Sequence, residues 1–400
     1  MARKLQADEW LFAATVGLAL FGVVMVYSAS AAVAAEQNGT QYHYVIRQGL
    51  WTLCGFGALL FGMRLDYGWL RRGELAYGLL ALTVVLLMAV FAFPRINGAH
   101  RWIRFGGLMS FQPSELAKLT LAVFLARLLE RRAGEERELW RTFAPCVAVT
   151  GALVLLIVVE PDLGTAMMLG VVGLTLLFTA GARLKHIGLL LAPALLGVGG
   201  LVVFSPWRMK RFLAFLDPWA DAQGAGFQVV QSLMAVGSGG VHGLGFAQGK
   251  QKLFFLPFAH SDFIFAVVGE ELGLVGALIL LGGFGLFLWR GVRAARRAPD
   301  RFGMLLGLGI VTGIVAQALF NISVVLALVP TKGIPLPFIS YGGTSTVFTL
   351  FAVGVLLNIS QQGSALNDLG LLRAAVEQRA GAQAGRRTPV TQTWQPAGRG

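Results

Sequence analysis

The chain has 400 residues, 56% of them hydrophobic and only 13% charged, with a mean hydropathy of +0.68. Soluble domains carry about twice that share of charge, so an ordinary soluble enzyme is excluded at the outset. The net charge of +13 would suit nucleic acid, but the basic residues form no single patch; they sit in short segments between long apolar blocks, which argues against a nucleic-acid partner.

Ten apolar blocks approach the roughly 20 residues that a membrane helix needs. In chain order they are Trp10–Ser30, Val45–Met63, Leu75–Phe93, Ser114–Leu129, Phe143–Val159, Leu163–Gly181, Ile187–Phe204, Phe263–Trp289, Phe302–Val329 and Gly342–Ile359. Glycine is spread through them and apolar residues run on without alternation, which predicts helices rather than a barrel. The expected fold class is an all-α polytopic membrane protein with ten transmembrane helices in residues 1–360. The first block, preceded by Arg3 and Lys4 and closing on Ala29-Ser-Ala-Ala32, has the outline of a secretory signal; its near-membrane length and the nine blocks after it favour a retained anchor. Cys54 and Cys146 fall inside blocks, match no disulfide or metal spacing and read as packing residues.

Most of the 33 lysines and arginines fall on one side when the N-terminus is placed inside: Arg64 to Arg72, Arg127 to Arg141, Arg183 and Lys185, Arg290 to Arg301, and the arginines of the tail. By the positive-inside bias both termini are cytoplasmic. Residues 205–261 then form a large extracytoplasmic loop between the seventh and eighth spans, with aromatic residues, Asp217-Pro-Trp219 and the glycine run Gly237-Ser-Gly-Gly-Val-His-Gly-Leu-Gly245. Long connections of this kind are functional or disordered; this composition predicts a folded one, with a short helix near Phe227–Val236 lying at the interface. Residues 361–400 read as a cytoplasmic tail, largely disordered, with a helix starting in Leu369–Glu377.

The outer side keeps a minority of cations, and each has a bland reading beside a functional one. Arg101 and Arg104 are headgroup snorkels or phosphate ligands, and Trp102 is an interfacial anchor or a cavity wall. Glu115 and Lys118, one turn apart at the head of the fourth block, form an internal ion pair or join that phosphate site. In Glu160-Pro-Asp162, the aspartate caps the sixth helix or faces a polar cavity. Asp262, two residues after His260, is an N-cap of the eighth span or a general base whose carboxyl is lifted by a low-dielectric rim. One of Glu270 and Glu271 must face the bundle interior. Pro330-Thr-Lys-Gly-Ile-Pro-Leu-Pro-Phe-Ile-Ser-Tyr-Gly-Gly343 is non-helical and must line a cavity or be buried in protein; it offers Lys332, Ser340 and exposed amides to an anion. Lys250 and Lys252 are expected on the same outer surface. No nucleotide-binding loop or zinc pattern is present.

Taken in order, several segments resemble the SEDS family (shape, elongation, division and sporulation). They are Asn97-Gly-Ala-His-Arg-Trp-Ile103 with Gln112-Pro-Ser-Glu-Leu-Ala-Lys118, Glu160-Pro-Asp-Leu-Gly-Thr165, Ala259-His-Ser-Asp-Phe-Ile-Phe-Ala266, and Pro330-Thr-Lys-Gly333 with Ile339-Ser-Tyr-Gly-Gly343. The resemblance runs from about Trp10 to Ile359. Val267-Val-Gly-Glu-Glu271 and Pro330-Thr-Lys-Gly-Ile334 are more similar to the division branch than to the elongation branch. It implies a ten-helix peptidoglycan glycosyltransferase that polymerises lipid II, the undecaprenyl-pyrophosphate-linked disaccharide peptide, at the outer face of the bacterial cytoplasmic membrane, at the division septum. Asp262 falls on the family's essential aspartate, and Trp102, Glu115, Lys118 and Asp162 fall on cavity-lining positions. The substrate contacts expected are Arg101, Trp102, Arg104, Glu115, Lys118, Asp162, His260, Lys332 and Ser340, with no dedicated metal cage, though a divalent cation (magnesium or manganese) on the pyrophosphate is compatible. The implied partners are a class B penicillin-binding protein transpeptidase, other divisome proteins and membrane lipids. One departure stands out: where the family usually reads Pro-Glu-Ala-His-Thr-Asp, this chain has Pro257-Phe-Ala-His-Ser-Asp262, without the glutamate. An elongation-type polymerase, a lipid-precursor flippase and a structural scaffold are the competing readings.

Overall fold

A computed structural model describes residues 7–95, 98–105 and 109–385, with side chains as far as residue 364 except at 105 and 109. Arg3, Lys4, Asn97 and the tail from Arg386 onward lie outside the described residues. Helix α1, Glu9–Asn38, begins at Asp8, whose carboxylate accepts the Leu11 amide at 3.0 Å, and ends at Gly39 with φ +69°. Helix α2 is His43–Arg64 and α3 is Gly73–Ala89. The chain then crosses a two-stranded antiparallel hairpin, β1 (Ile103–Phe105) and β2 (Met109–Phe111), in the register Ile103↔Phe111. Helix α4, Pro113–Arg131, starts with proline at its first turn, where no amide donor is missed. Helices α5 (Ala144–Val159), α6 (Leu163–Ala180) and α7 (Leu184–Val203) follow. Two short helices, α8 (Pro206–Leu216) and α9 (Phe227–Gly239), precede α10 (Ile264–Arg296), α11 (Arg301–Val325) and α12 (Gly343–Gly385).

The expected all-helical polytopic architecture is what the chain adopts. Among the described residues nine helices are long and apolar enough to cross a membrane. Helix α4 is not one of them, because Glu115, Lys118, Arg127, Glu130 and Arg131 interrupt its apolar run. It is instead packed inside the bundle, touching α3, α6 and α11, and Thr120 shares a 2.9 Å hydroxyl hydrogen bond with Thr83 of α3. Helices α2 and α12 pack with their backbones in near contact: a Cβ on Gly354 would stand 2.3 Å from the Leu59 carbonyl oxygen. Lipid supplies no hydrophobic drive for helix pairing, so such small-residue seams are how spans associate. Helix α7 has no buried residue at all.

Four expectations need correction. The segment 205–261 holds two helices where one was expected, and the one near Phe227 is packed onto the bundle. It packs against α10 with Val229, Val230 and Ala235 buried, and Ser232 donates to the Val325 carbonyl at 2.7 Å. Of the two, α8, with Trp207, Arg208 and Arg211, is the more amphipathic. Both Glu270 and Glu271 are buried, rather than one. Glu270 accepts the Lys250 amide at 2.7 Å, while Glu271 pairs with Lys252 at 2.5 Å and accepts from Ser28 at 2.6 Å. Lys252 is therefore spent inside the protein and is not an outer-surface cation. Cys146 is buried as expected, but Cys54 is exposed.

Candidate active site

The loop before α10 and the loop before α12 are clamped together at three successive carbonyls. The carbonyl of His260 accepts the Tyr341 amide at 2.9 Å, that of Ser261 accepts the Ser340 hydroxyl, and that of Asp262 accepts Asn321 Nδ2 of α11 at 2.7 Å. Asn321 also donates to the Ile334 carbonyl at 2.7 Å, so one amide group holds both loops. The backbone of Asp262 is thereby fixed, while its carboxylate makes no hydrogen bond with the described residues. The helix it precedes takes Phe263 as N-cap without a side-chain bond, so the capping alternative for Asp262 fails. Gly333 lies against it: a Cβ there would stand 2.6 Å from Asp262 Oδ2.

Asp262 faces a cavity of ≈ 690 Å³ whose wall includes Arg47, Trp51, Arg101, Trp102, Arg104, Glu115, Asp162, Phe258, His260 and Gln317. An adjoining hollow of ≈ 210 Å³ shares Arg101, Trp102, Asp162 and Asp262 and adds Trp207, Arg211 and Lys332. Lys332 and Arg211 both sit over the Trp207 ring, at 5.5 and 4.5 Å from its centroid, so α8 brings two cations to the site on one indole. Arg101 is oriented by the carbonyls of Glu160 and Pro161.

Burial pushes the Asp262 carboxyl up to about 6; Arg101 and Arg211 pull it down and Asp162 adds to the rise. Burial lowers Lys332 to about 8, helped by Arg211, Arg208 and Arg101. His260 is lowered to about 4 by burial and sits between the rings of Tyr44 and Tyr341, at 4.8 and 5.7 Å, so it is neutral at pH 7. Glu160, fully buried with neither carboxyl oxygen bonded, is raised to about 8, first by burial and then by Asp162, so it carries a proton at neutral pH.

The site residues expected from the sequence divide into two groups. Arg101, Trp102, Arg104, Glu115, Asp162, His260 and Asp262 share the larger cavity, and Lys332 joins through the smaller one. Asp162 also caps α6, accepting the Thr165 amide at 3.2 Å and hydroxyl at 2.9 Å, so both of its readings hold. Lys118 stands behind the wall: its ammonium is held by Glu115 at 2.9 Å and by Gln317 at 2.6 Å, the ion pair of the bland reading. Ser340 does not reach the cavity, since its hydroxyl accepts the Leu336 amide at 2.7 Å and donates to Ser261. It holds loops together rather than offering a hydroxyl outward. Arg47, Trp207, Arg211 and Asn321 belong to the site or its support and were missed. The available signal for Arg47 and Arg211 was positive charge on the side that the charge distribution of the sequence assigns to the exterior.

Among the described residues no group of three or more His, Cys, Asp or Glu side chains is gathered to hold a metal ion. What the cavity offers is one unencumbered carboxylate near neutrality, several cations beside it, and aromatic walls at Trp51, Trp102 and Phe258. Such a set can take a proton from a hydroxyl while stabilising a departing polyanion.

Comparison with known proteins agrees across the chain. The profile of the FtsW/RodA/SpoVE family, described as cell cycle protein, matches residues 9–365. A probable peptidoglycan glycosyltransferase FtsW of Geobacter metallireducens is 44% identical over 349 residues, covering 86% of this chain and 92% of the relative. The stage V sporulation protein E of Bacillus subtilis is 40% identical over 363 residues, 90% of this chain and 98% of the relative. Among solved structures, a chain of a peptidoglycan synthase complex that coordinates polymerization and crosslinking superposes with a TM-score of 0.74 at 30% identity, covering 90% of this chain and 99% of that one. The rod shape determining protein RodA of Thermus thermophilus superposes with a TM-score of 0.66 at 28% identity, over 90% and 98% of the two chains.

Proposed function

Because this chain belongs to the FtsW/RodA/SpoVE family of cell cycle proteins, we propose that it is a membrane-embedded peptidoglycan glycosyltransferase that polymerises lipid II outside the cytoplasmic membrane. The observation that carries the reading is the Asp262 carboxylate, without a hydrogen-bond partner among the described residues and set in a cavity that also holds Arg101, Arg211 and Lys332. Asp262 takes the proton of the acceptor sugar's 4-hydroxyl. The oxygen so freed attacks the anomeric carbon of the donor, and the bond from that carbon to the lipid diphosphate breaks with inversion. Charge growing on the leaving diphosphate is met by Arg101, Arg211 and Lys332, fixed beforehand by carbonyls and by the Trp207 ring. The sugar rings lie against Trp102, Trp51 and Phe258; with Phe258 at the position where the family motif usually reads glutamate, the reaction drawn here uses no carboxylate at that point. His260, neutral and held between the Tyr44 and Tyr341 rings, supports the wall rather than binding the diphosphate.

Relatives named FtsW favour a role in division, and we place the protein at the septum beside a class B transpeptidase that crosslinks the strands it makes. The catalytic unit is residues 1–360, with residues 361–400 an appended cytoplasmic tail.

The test is polymerisation of lipid II by the purified protein in detergent, where no second compartment exists. Wild type is expected to make glycan strands, and Asp262→Asn to lose about 10²–10⁴-fold of the rate, the usual worth of a general base. A flippase makes no strands in that assay, and a scaffold is indifferent to the substitution. Either result overturns the proposal.

A further inference from the structure

A third hollow, of ≈ 420 Å³, lies between α3 and α4 at the end of the bundle away from Asp262. We propose that it binds the phosphate headgroup of an anionic phospholipid of the cytoplasmic leaflet. It does not depend on the catalytic reading above.

The hollow is formed because α4 carries Phe124, Arg127, Leu128 and Arg131 on one face, at helical spacing, opposite Tyr77 of α3. Arg132 and Glu135 close it from the loop that follows. Its charge is only partly compensated, with three arginines in the wall against one acid. Glu135, the one acid in the wall, is shared between Arg132 at 3.1 Å and Arg141 at 3.6 Å. The acids nearby are committed elsewhere: Glu130 to Arg71 at 2.9 Å, Glu136 to Arg301 at 2.6 Å and Glu138 to Arg141 at 3.6 Å. Glu74, on the first turn of α3, is exposed and outside the wall. Arg127 gives one donor to the Arg71 carbonyl and keeps the rest of its fork. Arg131 is exposed and forms no ion pair with the described residues. Two guanidinium groups one turn apart, with donors to spare, match a phosphate diester that carries no cation of its own, and so an anionic headgroup better than a zwitterionic one, whose ammonium would meet the same arginines.

Its setting favours a lipid over a soluble anion. Trp69 and Trp140, 53% and 82% exposed, mark an aromatic belt at this level. Tyr77 pairs edge-on with Phe124 inside the hollow and also heads an exposed stripe on α3 that continues through Val85 and Met88. Acyl chains can follow that stripe into the membrane while the phosphate stays among the arginines. Basic hollows between spans on the cytoplasmic side are a recurrent form of headgroup recognition.

The experiment measures binding of phosphatidylglycerol and phosphatidylcholine to the full-length protein in detergent by native mass spectrometry. Wild type is expected to prefer phosphatidylglycerol, and Arg131→Gln to weaken that lipid on the order of tenfold while leaving phosphatidylcholine alone. Arg137→Gln, exposed and outside the hollow, is expected to bind as wild type. Equal losses in both variants mean diffuse surface attraction and overturn the site, as does phosphatidylglycerol binding unchanged in Arg131→Gln. Should that variant fail to fold, Arg131→Lys keeps the charge but loses the planar fork and is expected to weaken binding severalfold; full binding overturns the proposal. Inorganic phosphate provides the last arm. Competition only far above the lipid's concentration supports the lipid, and equal potency reassigns the hollow to a soluble anion.

Discussion

At Asp262 the balance of burial against Arg101 and Arg211 leaves a carboxyl that titrates near 6, and at Lys332 burial and neighbouring arginines leave an ammonium that titrates near 8. The base works when deprotonated and the cation when protonated, so turnover should rise with pH through about 6 and fall through about 8. Initial rates of lipid II polymerisation between those limits and beyond check the bell. Lys332→Arg is expected to remove the falling limb, because a guanidinium does not lose its proton there. Gly333 supplies a second residue-level prediction. A methyl group at that position would meet Asp262 Oδ2 at 2.6 Å, so Gly333→Ala must displace the carboxylate. A drop in kcat on the order of 10²-fold, with the thermal midpoint near wild type, is expected from a shift of this size. Asp262, Arg101 and Lys332 were legible in the sequence because ionisable groups at membrane depth or on the outer side need a reason. Ser340 misled because a hydroxyl in a proline- and glycine-rich loop looks the same whether it faces a ligand or ties two loops together. Arg47 and Arg211 were passed over because each stands beside an apolar run, where snorkelling explains an arginine equally well.

Among the elements, α10 organises the cavity-bearing half of the molecule through what it holds at its first turns. Gly239 at the end of α9 approaches so closely that a Cβ would stand 1.9 Å from the Gly269 carbonyl, and Gly243, with φ +80°, lies against Glu271. The glycine run 237–245 was readable as a break, but its reason is this backbone approach, which only tertiary structure reveals. Two turns along, Glu271 meets Lys252 at 2.5 Å, with Ser28 of α1 donating to the same carboxylate, so one buried pair pins the loop ahead of Asp262 to two helices. Removing one partner of such a pair leaves a bare buried charge, at a cost of about 3–5 kcal/mol. Lys252→Met is therefore expected to lower the thermal unfolding midpoint sharply in detergent. The double substitution Lys252→Met with Glu271→Gln is expected to recover much of it, since no charge is stranded. If the double variant is as unstable as the single, the pair is not what fixes the loop. The long helices were legible from hydropathy, α4 included as the block Ser114–Leu129, although its charges fit a helix surrounded by neighbours rather than by lipid; α8, short and basic, was not.

For the molecule as a whole, the functional reading requires that the cavity open outward and the arginine-rich hollow inward, and the sequence supports that orientation only through its distribution of charge. Arg137 lies in the loop between α4 and α5, on the side of the hollow, and Ala220 lies between α8 and α9, on the side of Asp262; both are exposed. Cys54 lines the larger cavity and would react with a thiol reagent, whereas Cys146 is buried. In a Cys54→Ser background, then, Ala220→Cys is expected to take a membrane-impermeant maleimide on intact cells. Arg137→Cys is expected to stay unlabelled until the membrane is opened. The two positions must differ, because a polytopic chain with this many spans exposes its α4–α5 and α8–α9 connections on opposite faces in either orientation; what the labelling decides is which is outside. The reverse pattern would put Asp262 and its cations in the cytoplasm, away from the compartment in which strands are assembled, and the polymerase mechanism would fail with it.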